Sequence, residues 1–149
     1  MSLRRLRAGE LIALAGAACL IAALTRPWYE SPQGNLSAWA TFGLAVALLI
    51  LAAAGALALV LATVTERSPA LPVAAAVWST ALGFLGTIAA AVRLVERPEH
   101  AFALCAGAWL GLAGAVLVFV GSWQSMRDER PGLYPPDATP PREAPPAGA

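Results

Sequence analysis

The side chains that could do chemistry here are few: Glu10, Cys19, Glu99, His100 and Cys105. A carboxylate held inside the hydrocarbon of a first membrane span can couple proton movement to export. Glu10, however, follows Arg7 by one helical turn and would lie about 24 Å along a helix from Arg26. That spacing places it at headgroup level, hydrated and paired with Arg7. Cys19 and Cys105 each fall five to seven residues inside one end of an apolar run, so a disulfide between them is one reading. A membrane thiol oxidase needs a CxxC pair and a second pair to relay electrons, and the sequence has neither. The plainer reading is two buried thiols packed as small apolar groups. One histidine cannot ligate haem on both faces, and no further Cys, His or carboxylate cluster near His100 completes a metal shell. His100 therefore reads as a solvated loop residue. With no Ser-His-Asp set, no phosphate-cradling loop and no paired carboxylates, the expectation is no enzyme, no cofactor and no metal.

The elements that position these residues emerge from composition. Of 149 residues, 58% are hydrophobic and 13% charged, about half the charged share of a soluble domain. Mean hydropathy is +0.66. So little charge cannot cover the core of a soluble monomer, and a net charge of +1 offers no field for nucleic acid. All ten basic residues are arginine and alanine is abundant, as in GC-rich coding sequence.

Charges divide the chain into four uncharged runs: Leu11 to Thr25, Ser31 to Thr65, Ser68 to Val92 and His100 to Met126. A helix needs about 20 residues to cross roughly 30 Å of hydrocarbon, and runs two to four are long enough. The first run resembles a signal peptide behind Arg4, Arg5 and Arg7, yet Ala22 to Trp28 holds no convincing cleavage site, and Gly16 spoils a lipoprotein box before Cys19. Extended back through Ala8 it becomes a short span with Arg7 and Arg26 snorkelling at its ends. The pattern predicts an all-α transmembrane four-helix bundle with short loops, the spans covering about 7–26, 37–64, 70–94 and 99–125. Ser37 would N-cap the second span and Pro98-Glu99 would open the fourth. The short link from Thr65 to Leu71 makes spans two and three antiparallel neighbours.

Arginine counting sets the orientation. With both termini cytoplasmic, Arg4, Arg5, Arg7, Arg67, Arg127 and Arg130 lie inside and Arg26, Arg93 and Arg97 outside, in a bacterial plasma membrane. Trp28, Tyr29 and Trp39 would form an outer aromatic belt, with Trp123 at the inner face. From Pro131 to Ala149 the chain is proline, alanine, glycine and scattered charge, which reads as a disordered cytoplasmic tail. It is either inert or a PxxP-type docking ligand.

Several short motifs carry a resemblance: Arg5-Leu6-Arg7-Ala8-Gly9-Glu10-Leu11, Pro27-Trp28-Tyr29, Ser37-Ala38-Trp39, Arg67-Ser68-Pro69-Ala70-Leu71-Pro72 and Arg127-Asp128-Glu129-Arg130-Pro131-Gly132. Together, from about Leu3 to Gly132, they resemble an uncharacterised family of four-span integral membrane proteins of GC-rich Gram-positive bacteria. Ala40 and Thr41 stand where that family often carries an acidic residue. The resemblance implies a membrane fold and no activity.

Gly107, Gly111 and Gly114 share a stripe on span four, and Gly83 and Thr87 one on span three. Small residues let helix backbones approach where lipid supplies no hydrophobic drive, so these five are the candidate helix-packing positions. Cys105 and Trp109 point about 160° from Gly107, so a packed glycine stripe turns Trp109 outward. Trp28, Tyr29, Arg93, Arg97 and Trp109 are the candidate partner surface, against the plainer reading of belt aromatics and stop-transfer charges. Arg93 is placed to pair with Glu96. The function expected is an accessory or scaffold subunit that associates with other membrane proteins or with itself in the lipid bilayer, without nucleic acid. The alternative is a small oligomeric transporter or channel, for which the spans offer only Thr41, Ser79, Thr80 and Thr87 as polar groups away from their ends.

Overall fold

The computed structural model describes residues 7–65 and 70–128. The N-terminal arginines Arg4 and Arg5, the Glu66–Arg67 turn and the tail expected from Pro131 lie outside the described residues. The elements run α1 (Ala8–Leu24), β1 (Pro27–Ser31), β2 (Gly34–Ser37), α2 (Ala38–Thr41), α3 (Leu44–Thr65), α4 (Ala70–Val95), β3 (Ala103–Leu104) and α5 (Ala106–Asp128). The chain is mostly helical, and α3, α4 and α5 are each long and apolar enough to cross a membrane. With 17 residues, α1 is a shorter apolar helix.

Helix α1 packs on α5 and α3, and α4 packs on α3 and α5, so α1, α3, α4 and α5 close a ring. Gly9 lies against Gly121 and Ser125 whereas Gly16 lies against Gly114 and Val118, so α1 and α5 run antiparallel. Gly83 against Phe119, with Ser79 on Ser122, sets α4 antiparallel to α5. Gly86 against Ala52 and Gly55 against Ser79 do the same for α3 and α4. Pro72 sits in the first turn of α4, where its missing N–H has no intrahelical partner to lose.

A three-stranded antiparallel sheet, ordered β2-β1-β3, closes one end of the ring and corrects the expectation of an all-α fold with short loops. Pro32-Gln33 turns β1 into β2, with Ser31 opposite Gly34 and Tyr29 opposite Leu36. Gly34 takes φ +126°, a conformation open to glycine. β3 pairs Leu104 with Tyr29 and Ala103 with Glu30.

This sheet also moves the helix boundaries. Helix α5 starts at Ala106 rather than Glu99, because residues 103–104 pair with β1 first. Cys105 consequently stands just ahead of α5 instead of several residues inside it. Ser37 stands at the N-cap position of the four-residue α2, not of α3, and makes no side-chain capping bond there. The chain breaks at Phe42-Gly43, where Gly43 adopts φ +51° before α3 begins.

Candidate functional site

The sheet end is organised around Trp28 and Tyr29, which are both fully buried. Exposure as a partner surface or an aromatic belt is therefore corrected for this pair. Gly107 and Gly111 leave a hollow one turn apart on α5, and the Trp28 ring fills it, lying where a side chain at either glycine would project. The indole N–H donates to the Ala23 carbonyl at 2.8 Å, satisfying the polar edge of the ring. The Trp28 carbonyl in turn accepts the Cys105 N–H at 2.9 Å.

Phe42 packs edge-on against Trp28 at 4.4 Å between ring centroids and against Tyr29 at 6.0 Å. The half-buried Arg93 lies over the Phe42 ring at 5.4 Å and donates to the Phe42 carbonyl at 3.2 Å. Arg93 thus contacts Phe42 through both its ring and its carbonyl. The Tyr29 hydroxyl donates to the Arg93 carbonyl at 2.5 Å, tying β1 to the last turn of α4. Burial pushes the Tyr29 hydroxyl above its ordinary range, and the nearby charges of Arg93 and Arg97 pull the other way. Of the five candidate surface residues, Arg97 and Trp109 are exposed, Trp109 at 58%. Trp39 is also exposed and donates its indole N–H to the Leu24 carbonyl at 3.1 Å.

The α1–α5 seam is built on glycine. A methyl group at Gly16 would lie 2.6 Å from the Val118 nitrogen and 2.8 Å from the Gly114 carbonyl oxygen. At Gly114 it would meet the Leu20 nitrogen at 2.9 Å. The helices therefore touch backbone to backbone. Gly83 makes the equivalent approach from α4, where a methyl group would lie 2.7 Å from the Phe119 nitrogen. Thr87 is half-buried and donates to the Gly83 carbonyl of its own helix at 2.8 Å. The five packing candidates thus divide: Gly114 lies in the α1–α5 seam, Gly83 in the α4–α5 seam, Gly107 and Gly111 under Trp28, and Thr87 is bonded within α4.

Polar groups gather at the opposite end. Glu10 is 1% exposed, which corrects the hydrated carboxylate expected there. Its Oε2 accepts the Arg7 backbone N–H at 2.6 Å, and its Oε1 accepts the Ser125 hydroxyl at 2.9 Å. The first bond is one arm of a capping box, in which a residue in the first turn reaches back to an otherwise unpaired N–H. The Arg7 guanidinium donates to the Asp128 carbonyl at 2.9 Å, closing the α5 terminus. Deeper in, Ser79 and Ser122 share a hydrogen bond of 2.6 Å, and Thr80 donates to the Ala76 carbonyl at 2.7 Å.

Comparison of the chain with protein-family models, curated proteins and solved structures finds no match. Geometry alone therefore bears on function. Cys19 and Cys105 are both half-buried and free, without a disulfide. Glu99 and His100 are exposed and line a shallow depression of about 390 Å³ with Gln33 and Phe102. Among the described residues no three His, Cys, Asp or Glu side chains gather as metal ligands.

Sequence reasoning missed Ser122 and Ser125, and the burial of Trp28. Ser122 and Ser125 stand three apart on the stripe that continues Gly114 and Gly121, a spacing that could have marked them as inward-facing. Gly107 and Gly111, four apart and without side chains, were the available sign of a hollow that an aromatic ring would fill.

Proposed function

We propose that the chain is a multi-pass protein of the bacterial plasma membrane in which α1, α3, α4 and α5 cross the bilayer with both termini cytoplasmic. We further propose that it acts without catalysis, as an accessory or scaffold subunit associating with other membrane proteins or with itself. The crossing of α1 is the least generous: at 1.5 Å per residue its helix rises about 26 Å, against roughly 30 Å of hydrocarbon. The two to one arginine bias and the joining of Arg7 to Asp128 at one end support an even number of crossings.

The observation that carries the accessory reading is how the buried polar side chains are engaged. Glu10, Ser79, Thr80, Ser122 and Ser125 each bond to a partner inside the fold, leaving none of these aimed into a passage. Meanwhile Leu44, Leu61, Trp78 and Trp109 present large apolar surface outward. The experiment is purification in a mild detergent with quantification of what accompanies the chain. A stoichiometric membrane partner or a defined self-assembly without flux supports the reading. A pure oligomer that conducts ions in liposomes overturns it.

One observation favours the second reading, a small oligomeric transporter. Glu10 is a carboxylate buried in a helix proposed to span the membrane, and such residues often mark ion pathways. Loss of a proton-coupled flux in Glu10→Gln, with insertion and assembly intact, would select transport.

A further inference from the structure

We draw no further inference here: the strongest candidate, the apolar groove between α3 and α4 lined by Ala58, Leu61, Ala62, Ala74 and Trp78, is an unpartnered face on which nothing in the structure shows what covers it.

Discussion

Ser125 donates its hydroxyl to the Glu10 carboxylate at 2.9 Å, joining the first helix to the last across 115 positions of sequence. The contact lies where Gly9 and Gly121 bring the two backbones together, so a methyl group at Gly9 would stand 2.6 Å from the Ser125 nitrogen. Close backbone approach excludes solvent, and the excluded carboxylate then needs protein donors for its oxygens. The serine and the glycines are thus parts of one arrangement.

Ser125→Ala is expected to destabilise the protein by about 1–3 kcal/mol, because it leaves a buried carboxylate oxygen without its donor. Glu10→Gln should cost less. Its amide oxygen can still accept the Arg7 N–H, and its NH2 can donate to the Ser125 hydroxyl. Thermal unfolding in detergent, monitored by circular dichroism, compares the two. Equal stability of Ser125→Ala and the wild type would show that water reaches Glu10.

Glycine substitutions should separate by what the new methyl group meets. Gly16→Ala places it against backbone atoms of Val118 and Gly114, which yield only if α1 and α5 part, and a loss of about 1–3 kcal/mol or more is expected. Gly55→Ala meets the Leu82 Cδ1 at 3.2 Å, the far end of a side chain that can change rotamer, and its helix gains about 1 kcal/mol in propensity. It should be neutral or stabilising. The same unfolding measurement ranks them, and a Gly16→Ala protein as stable as wild type would refute the backbone seam.

The Tyr29 hydroxyl gives the sheet end an alkaline limit. Its folded value is raised above the ordinary 10.0, so the folded state holds the proton more tightly than the unfolded chain does. That contribution is fully present below about pH 10 and is lost as pH rises through the raised folded value. Ionisation would also remove the proton donated to the Arg93 carbonyl. Stability should therefore fall above pH 10 in the wild type and fall less steeply in Tyr29→Phe, as read from unfolding midpoints at successive pH values. Identical pH dependence in the two proteins would contradict this linkage.

The three long apolar helices were legible because charge bounds them: Glu66 and Arg67 separate α3 from α4, and the charged stretch from Arg93 to Glu99 ends α4. The sheet was hidden by the same signal. Phe102-Ala103-Leu104 belongs to an uncharged run with α5, and a short apolar segment does not reveal by periodicity whether it is strand or helix. Phe42-Gly43 is likewise apolar on both sides, so hydropathy runs straight through the break before α3. At the other end, the spacing of Arg7 and Glu10 indicates one helical turn and says nothing about depth. Ser125 and the glycine contacts bury the carboxylate, and these come from the last helix, more than a hundred residues away.

Topology can be read with single cysteines in a Cys19→Ala, Cys105→Ala background. Gln33, at the exposed tip of the β1–β2 hairpin, and Asp128, at the exposed end of α5, mark opposite ends of the helix ring. An impermeant maleimide applied to intact cells should label Gln33→Cys, and should label Asp128→Cys only after permeabilisation. Ser125 is unsuitable as a reporter because it is fully buried. Labelling of Asp128→Cys in intact cells with Gln33→Cys protected would invert the proposed orientation.

Trp28 and Gly111 offer a test of matched shapes. The indole occupies the space a side chain at Gly111 would need, so Gly111→Ala should expel or tilt the ring and destabilise the protein by about 1–3 kcal/mol. Trp28→Ala empties the hollow and frees the Ala23 carbonyl, at an expected cost of about 3–5 kcal/mol. If the ring and the glycine are matched, the two costs cannot add, because the three atoms nearest a methyl group at position 111 all belong to the Trp28 ring and go with it. The double substitution should therefore be no less stable than Trp28→Ala alone, giving a coupling energy close to the whole cost of Gly111→Ala. Trp109→Ala, on the opposite and exposed face of the same helix, controls for the loss of a tryptophan as such and should shift stability little. Additive losses in the double substitution would mean that Gly111 is needed for something other than the space that Trp28 fills.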